Sequence, residues 1–164
     1  MAKKDGGKKA KDDDGSIKVV ARNRRARFEY DLLDKIEAGI VLTGTEVKSL
    51  RTGKASLEEA YASIDGGEVW LNGCDIPEYL QANRMNHKPK RPRKLLLHKA
   101  EIAKFAAKAT DRGMTLVPLQ IYFKNGIAKV EISIAKGRKN YDKRDAIKQQ
   151  DAKREIDRAS RSRY

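Results

Sequence analysis

Apolar and polar side chains alternate over residues 28–42, which predicts a β-strand. One face of this strand carries Ile36, Ala38, Ile40 and Leu42. Glu37 falls on the opposite face, so we expect its carboxylate to lie outside the core. The segment 43–45, Thr-Gly-Thr, ends the strand, and two apolar residues at helical spacing then predict a short helix over 46–51.

Two further elements are predicted in the middle of the chain. Residues 60–76 predict a β-hairpin, because the pair Gly66-Gly67 supplies the positive φ that a tight turn requires. Its register stays open between an Asp-Gly loop and a Gly-Gly loop. Residues 98–112 predict the clearest helix, since apolar side chains recur every three or four positions and Gly113 follows the last turn.

The pair Asn125-Gly126 is the strongest hairpin signal in the chain and lies within residues 115–135. A two-residue loop at this pair fixes the register, so we expect Tyr122 to face Lys129 on one side of the hairpin. Lys129 should then be exposed beside an aromatic ring. The other side would be continuously apolar, pairing Phe123 with Ala128, Ile121 with Val130, Leu119 with Ile132 and Val117 with Ile134.

The order of these elements is strand, short helix, hairpin, basic loop, long helix and hairpin. Five strands with a helix inserted before the last pair predict a mainly β fold with helices, a small barrel of the oligonucleotide-binding type. We assign residues 17–136 to this barrel, residues 1–16 to a flexible N-terminal extension and residues 137–164 to a basic C-terminal tail.

Positive charge is concentrated at the two ends of the chain. Lysine and arginine exceed aspartate and glutamate by 14 overall, and residues 1–27 and 136–164 each hold an excess of six. Both flanks are poor in large apolar residues, so we expect them to be disordered or marginal in isolation. Residues 84–94 hold six more cations, two prolines and no acid, which predicts an exposed basic loop. Three basic surfaces without an opposing apolar face favour nucleic acid over lipid.

The sequence lacks the arrangements that most enzymes require. His87 has no carboxylate at metal-ligand spacing, His98 has only Glu101, and Cys74 is the single cysteine, so a zinc site is short of ligands. No phosphate-binding loop, nucleophile elbow or dinucleotide fingerprint is present. We therefore expect no enzymatic activity, no metal and no cofactor, with Cys74 in the barrel wall. Because the chain has neither a bilayer-spanning apolar run nor a signal peptide, we expect a soluble cytosolic protein.

The segment from Ala38 to Arg51, AGIVLTGTEVKSLR, resembles the signature of a known family, the tmRNA-binding proteins of trans-translation, also called small protein B or SsrA-binding proteins. Further blocks resemble the same family in the same order. They are Asn23-Arg24-Arg25-Ala26-Arg27, Arg93-Lys94-Leu95-Leu96-Leu97, Val117-Pro118-Leu119, Ala135-Lys136-Gly137-Arg138-Lys139 and Asp142-Lys143-Arg144. The resemblance covers about residues 17–148, and the acidic run Asp12-Asp13-Asp14 departs from the family pattern.

The resemblance implies a small barrel that binds the tRNA-like end of tmRNA and delivers it to ribosomes stalled on messages without a stop codon. The implied partners are tmRNA, elongation factor Tu with GTP through tmRNA, and the rRNA of the small ribosomal subunit. We expect a cytoplasmic monomer that is ribosome-associated during rescue and has no membrane partner. The residues assigned to tmRNA are Asn23, Arg24, Glu37, Leu96, Tyr122 and Lys129. Burial tendencies alone would place Leu96 in the core, and Tyr122 is included as a base-stacking neighbour of Lys129.

The tail has no glycine or proline after residue 137, so a helix is permitted, but its apolar positions form no clean stripe. We expect it to be unfolded when isolated. The resemblance implies that it is helical only on the ribosome, where it senses that the message channel and decoding centre are empty. Gly137 would be the hinge, and Tyr141 would stack on decoding-site RNA. The residues assigned to this function are Gly137, Arg138, Lys139, Tyr141, Asp142, Lys143 and Arg144.

Three alternatives stay open on the sequence. A generic, ribosome-associated protein of the oligonucleotide-binding fold would show affinity that tracks charge, with little preference among RNAs. A solvated basic tail would contribute only general RNA affinity. An enzyme that acts on RNA would show turnover that depends on Glu37.

Overall fold

The computed structural model describes residues 16–82 and 85–161. Within these ranges the chain forms seven strands and four helices. The strands are β1 (Ile17–Arg22), β2 (Tyr30–Ile40), β3 (Tyr61–Asp65), β4 (Glu68–Asn72), β5 (Arg93–Leu96), β6 (Met114–Lys124) and β7 (Ile127–Gly137). The helices are α1 (Arg24–Glu29), α2 (Gly44–Arg51), α3 (Lys99–Ala109) and α4 (Asn140–Arg161). Apart from residue 16, the predicted N-terminal extension lies outside the described residues.

The strands close into a ring. They follow the order β1-β6-β3-β4-β5-β2-β7, and β7 also pairs with β6. Strand β6 therefore has β7 along one edge, and β1 and β3 in succession along the other. Every pairing is antiparallel. The mainly β, oligonucleotide-binding-like fold is confirmed, with seven strands in the described residues rather than the predicted five.

The interior of the ring is filled by apolar side chains from the strands and from helices α2 and α3. The most buried of these include Ala38, Leu50, Leu71, Leu95, Phe105, Ile121, Val130 and Ile132. Burial of each large side chain contributes roughly 1.5–3 kcal/mol. The predicted apolar face of β2 is confirmed, since Ala38 is buried and Ile36 and Ile40 pack against the same cluster.

The hairpins test the predicted registers. In β3–β4 Asp65 pairs with Glu68, so the loop left open by the sequence is Gly66-Gly67. In β6–β7 Tyr122 pairs with Lys129 as predicted. The positive φ values of Asn125 and Gly126, 52° and 78°, are those that a type I′ turn requires.

From Gln120 towards the start of β6 the predicted β6–β7 register is wrong. A bulge between Pro118 and Gln120 moves the pairing by one residue, so that Pro118 faces Ile132. Proline cannot donate a hydrogen bond to the ladder and is tolerated inside sheets at such irregularities. The two residues expected in the main core, Val117 and Leu119, instead pack with Ala26 in a second, smaller cluster.

Strand β1 and helix α1 were not predicted, because residues 1–27 were interpreted as a marginal flank. Helix α1 is only six residues long and has no apolar period. Its start is fixed by Asn23, whose Oδ1 accepts a hydrogen bond from the Ala26 amide at 3.1 Å. Such an N-cap satisfies one of the free amides at a helix start and stabilises it by about 1 kcal/mol.

The predicted exposed basic loop, residues 84–94, is confirmed only in part, since Lys88 and Lys90 are exposed but other side chains of the loop are buried. Arg93 is fully buried and His87 is 7% exposed, while Arg84 lies outside the described residues. The Nε of Arg93 donates to Oε1 of Glu46 at 2.8 Å, and Glu46 is itself fully buried. Arg91 donates to Oε2 of the same carboxylate at 2.8 Å. Two of the loop's cations are therefore used to neutralise an internal acid, which we call the Glu46 cluster.

The Glu46 cluster is completed by backbone groups. Arg93 also donates to the carbonyls of Cys74 and Pro89, at 2.7 and 2.9 Å. Glu46 accepts a further hydrogen bond from the Thr43 amide at 2.8 Å, at the start of α2. The cluster thus fastens the loop to α2 and supplies partners for both buried charges.

The charge state of Glu46 predicts acid sensitivity. Burial alone would raise the pKa of Glu46, but Arg91, the Thr43 amide and Arg93 together hold it below its ordinary value of 4.5. A carboxyl with a lowered folded-state pKa stabilises the fold above its unfolded-state pKa, and this contribution disappears as the pH falls through the folded value. We expect the free energy of unfolding by urea to decrease below pH 4.5, and to decrease less in Glu46→Gln. Equal decreases in both proteins would assign the acid sensitivity to other carboxyls.

The C-terminal tail is a helix in the structure. The sequence predicted an unfolded tail, whereas α4 runs for 22 residues and buries none of its own. Ala146 and Gln150 face a groove beside α1, and the rest of α4 is largely exposed. The lack of glycine and proline permits this helix. That it forms only on the ribosome stays a prediction.

Candidate nucleic-acid interface

Four of the residues predicted to bind RNA lie on one face of the sheet, on two neighbouring lines of paired residues. They are Leu96, Tyr122 and Lys129 on the first line and Glu37 on the second. Gly39 of β2 pairs with Leu96 of β5 on one side and with Lys129 of β7 on the other. Lys129 in turn pairs with Tyr122 of β6. Residues paired directly across antiparallel strands point to the same face of a sheet. These residues form one line across four strands, which we call the Leu96 rung.

A second line of paired residues, the Glu37 rung, lies beside the first. Glu37 of β2 pairs with Glu131 of β7, and Glu131 pairs with Gln120 of β6. Gln120 pairs with Arg22 of β1. The Gln120 amide donates to the Glu131 carboxylate at 2.8 Å, and the Nζ of Lys35 lies 3.9 Å from the same side chain. The acid in the middle of this rung is therefore partly neutralised.

Leu96 is exposed, as the family resemblance implied and burial tendencies did not. Its side chain is 53% accessible, although its neighbour Leu95 is in the core. A Cβ at Gly39 would lie 3.2 Å from the Leu96 Cβ, so glycine leaves room for the leucine to lie over β2. An apolar side chain held on an otherwise polar face is suited to contact the flat surface of a nucleobase.

The aromatic ring beside Lys129 is not available for base stacking. Tyr122 is only 5% exposed, and its hydroxyl donates a hydrogen bond to Oε2 of Glu37. Burial and the neighbouring Glu37 carboxylate raise the pKa of Tyr122, which keeps the hydroxyl protonated. Lys129 itself is half-buried rather than fully exposed. The predicted pair is correct, but the predicted stacking on Tyr122 is wrong.

The structure gives Asn23 a capping role, and its contact with RNA stays a prediction. Asn23 is 5% exposed, and its Nδ2 donates to the carbonyls of Leu57 and Pro118 at 3.2 and 3.1 Å. With its Oδ1 bonded to the α1 backbone, the side chain is fully engaged inside the protein. The contribution of Asn23 is therefore to hold α1 in place.

Helix α1 presents arginines to a groove that continues from the Glu37 rung. Arg24 and Arg27 lie on one side of α1 and line this groove together with Arg22 of β1 and the half-exposed ring of Phe28. Ala146 and Gln150 of α4 form the opposite wall. We call this the α1 groove, and its volume is about 510 Å³. Arg25 points to the other side of α1, where it pairs with Glu29 at 3.0 Å.

Arg22, Arg27 and Phe28 were not predicted from the sequence as members of this surface. The i, i+3 spacing of Arg24 and Arg27 is the signal that could have found them, because it places both on one side of a helix. That signal was not usable, since no helix was predicted there.

The start of the tail is anchored by Arg138. Its amide donates to the Glu29 carbonyl at 2.9 Å, and its Nε donates to Oδ1 of Asp31 at 2.8 Å. Gly137, the predicted hinge, is the last residue of β7 and pairs with Tyr30. The connection between the ring and α4 therefore consists of residues 138–139, and the hinge role of Gly137 stays a prediction.

The other tail residues selected from the sequence lie in the first two turns of α4. Tyr141 is 61% exposed, and Arg144 is exposed as well. Asp142 and Lys143 are half-buried. The aromatic ring and one basic side chain are thus accessible to a partner.

Two groups considered for enzymatic chemistry are both engaged or buried. The Nε2 of His87 lies 2.8 Å from the Ile76 carbonyl, and its Nδ1 lies 2.9 Å from the Thr45 hydroxyl. Burial raises the pKa of the Cys74 thiol to about 11, so the thiolate is scarce at neutral pH. Residues 16–82 and 85–161 contain no group of three or more metal-ligating side chains. Of the helices within those ranges, none is long and apolar enough to span a bilayer.

Residues 20–162 match the family model described as SmpB protein. The SsrA-binding protein of Thermobifida fusca is 56% identical over 156 residues, which cover 95% of this chain and 98% of that protein. The SsrA-binding protein of Leifsonia xyli subsp. xyli is 58% identical over 146 residues, covering 89% of this chain and 92% of the relative.

A similar solved structure is described as "tmRNA-SmpB: a journey to the center of the bacterial ribosome". One of its chains matches with a TM-score of 0.63 and 46% sequence identity. The match covers 73% of this chain and 85% of that chain. At this identity the likeness extends beyond the fold to the sequence itself.

Proposed function

The chain belongs to the SmpB protein family, and from that membership we propose that it binds the tRNA-like domain of tmRNA and delivers it to stalled ribosomes in trans-translation. Its partners are tmRNA and the ribosome. Through tmRNA it also meets elongation factor Tu with GTP. It acts as a cytoplasmic monomer that joins the ribosome during rescue.

The observation that carries this proposal is the juxtaposition of Glu37, Leu96 and Lys129 on two neighbouring rungs of one outer face. The three side chains offer a carboxylate acceptor, an apolar surface and an ammonium donor. Such a set can contact a base edge, a base face and a phosphate of a folded RNA at the same time. These residues come from three different strands, so the ring positions them rigidly relative to one another.

The α1 groove extends this surface with positive charge. Arg22, Arg24 and Arg27 add guanidinium groups beside the Glu37 rung, and Phe28 adds an exposed ring. Guanidinium groups bind phosphate oxygens well because their donors form a planar fork. We therefore assign the groove to the RNA backbone and the two rungs to the bases.

Helix α4 has a separate task in this proposal. Its exposed Tyr141 and Arg144 are available to rRNA at the decoding centre, and the rest of the helix enters the empty message channel. Arg138 holds the start of this helix to β2, so the tail leaves the ring at a fixed point. The tail then reports that no message is present.

The SmpB family is a family of RNA-binding proteins. We further propose that this chain acts by binding alone and catalyses no reaction. The engaged ring of His87 and the raised pKa of Cys74 support that assignment.

Identification of the RNA that co-purifies with the full chain tests the proposed function. The protein is isolated from cells in the presence of nuclease inhibitors, and the bound RNA is sequenced. We expect tmRNA to be enriched over tRNAs and other small structured RNAs. A bound population that follows only RNA abundance would favour the generic RNA-binding alternative.

Arg24→Ala is expected to weaken binding of a tmRNA tRNA-like-domain transcript roughly three- to tenfold and to reduce the salt slope by about one. Arg24 lies in the α1 groove, where a phosphate can reach it. Arg25→Ala is the matched control, because Arg25 lies on the same helix but pairs with Glu29 at 3.0 Å on the other side. Filter binding between 50 and 300 mM salt measures both. Equal losses would mean that net charge, and not the groove, determines affinity.

A further inference from the structure

We propose that Tyr122 is a positioning residue that aims the Glu37 carboxylate at a nucleobase amino group of the bound RNA. The inference rests on the proposed function, since it concerns the same outer face. It replaces the stacking contact that the sequence predicted for Tyr122.

The bond between these residues crosses the sheet. Tyr122 lies on β6 and Glu37 on β2, and β7 runs between them. Tyr122 pairs with Lys129 of β7, whereas Glu37 pairs with Glu131, so the hydroxyl reaches diagonally from the Leu96 rung to the Glu37 rung. Because the Tyr122 ring is 5% exposed, its position is fixed by packing, and the hydroxyl is a rigid donor.

The contacts of Glu37 leave one of its oxygens available. The hydroxyl of Tyr122 donates to Oε2, and the Nζ of Lys124 lies 3.7 Å from the same oxygen. Within the part of the chain that the structure describes, Oε1 has no hydrogen-bond donor. The Glu37 side chain is 37% exposed, so a ligand can reach this side chain.

The chemistry of the open oxygen selects the RNA group. A carboxylate oxygen only accepts hydrogen bonds and repels phosphate, whereas an exocyclic base amino group only donates. Neighbouring Lys129 can neutralise a phosphate of the same nucleotide strand. Glu37 therefore faces a base edge while the cations around it face the backbone.

Fixing the carboxylate before binding increases affinity. A glutamate on an exposed strand would otherwise lose side-chain freedom when RNA binds, which weakens affinity roughly two- to tenfold for one flexible side chain. The buried tyrosine removes that loss in advance. The pKa of Tyr122 is raised by burial and by Glu37, so the donor persists through the neutral range.

The test is a double-mutant cycle on the full chain. Tyr122→Phe removes the hydroxyl and keeps the buried ring, and the probe is a fluorescent transcript of the tmRNA tRNA-like domain. We expect an affinity loss of roughly two- to tenfold with an unchanged melting temperature. In a Glu37→Ala background the same change should have no further effect, because the group that it positions is absent. Tyr61→Phe is the control, since Tyr61 is 52% exposed on β3.

A second variant changes Glu37, the acceptor of the hydrogen bond from Tyr122. Glu37→Asp keeps the charge but withdraws the carboxylate from the Tyr122 hydroxyl, so it should lose affinity by a similar factor. This variant preserves the buried ring and tests the proposal even if Tyr122→Phe folds poorly. Full affinity in Glu37→Asp, or equal losses for Tyr122→Phe in both backgrounds, would overturn the positioning role.

The two proposals fail in different ways. A wild-type protein that does not prefer the tRNA-like transcript over an unrelated hairpin RNA contradicts the proposed function. Additivity between Tyr122 and Glu37, measured on whichever RNA binds, contradicts only the inference about Tyr122.

Discussion

Glu46→Gln is expected to lower the free energy of unfolding by about 3–5 kcal/mol at neutral pH. Glu46 and Arg93 are both fully buried and lie 2.8 Å apart, Nε to Oε1. Glutamine is close in shape but neutral, so Arg93 would remain as a buried cation without a counter-charge. For a chain of this size the loss corresponds to a decrease of roughly 6–20 °C in melting temperature.

Urea titration followed by circular dichroism measures this effect. The matched control is Glu59→Gln, because Glu59 pairs with Lys90 at 3.3 Å but its side chain is 76% exposed. Exposed pairs contribute about 0–1 kcal/mol, so the control should be nearly unchanged. A decrease below about 1 kcal/mol for Glu46→Gln would show that Arg93 does not need the buried counter-charge.

Removal of residues 140–164 is expected to reduce tagging on stalled ribosomes to background. The same truncation should change affinity for the tRNA-like domain by no more than about threefold, because α4 contributes only the uncharged Ala146 and Gln150 to the α1 groove and neither neutralises a phosphate. The cut is placed after Lys139 so that Arg138 keeps its ion pair with Asp31. A reconstituted translation system with a stop-less message measures tagging, and filter binding measures affinity.

A scrambled tail of the same composition is the control for charge. It keeps the net charge of residues 140–164 while moving Tyr141 and Arg144 from their positions in α4. We expect it to behave like the truncation. Full tagging with the scrambled tail would support a tail that provides only general RNA affinity, and a large loss of affinity in the truncation would contradict the division between ring and tail.

The part of the fold that could be predicted from the sequence is the part that neighbouring residues determine. The Asn125-Gly126 turn determines its own register, so the pair Tyr122–Lys129 followed from the sequence. The same reasoning failed a few residues further along, because the bulge at Pro118 depends on where β6 meets its neighbours. A two-residue period continues through a bulge in the sequence but not in the structure.

The largest feature that could not be predicted from the sequence is the pair of buried charges, Glu46 and Arg93. Residues 84–94 were predicted to be an exposed basic loop because they hold six cations, two prolines and no acid. The partner of Arg93 is Glu46, which lies 47 positions away. Sequence spacing carries no information about such a contact, so neither residue could be assigned to the interior.

For a similar reason, some residues of the candidate site could be placed from the sequence pattern and others could not. Glu37 was placed on the outer face by strand alternation and Lys129 by the register of the Asn125-Gly126 turn, and the structure agrees for both strands. Leu96 required the family resemblance, because a leucine next to a helix is normally core. Its exposure depends on Gly39, a contact between β5 and β2 that no local pattern indicates.

Strand β2 connects the two working parts of the molecule. Its early residue Asp31 holds the start of the tail, and Glu37, six positions later, lies on the outer face. The pairing with β7 shifts by one residue between Leu32 and Lys35, so the stretch from Asp31 to Glu37 faces five residues of β7 and spans about 17 Å. Over this stretch β2 is held by its pairing with β7. Strand β2 therefore sets the distance between the start of the tail and the outer face. Inserting two residues between Asp31 and Glu37 would displace α4 by about 7 Å, while the outer face and the tail would each remain able to bind.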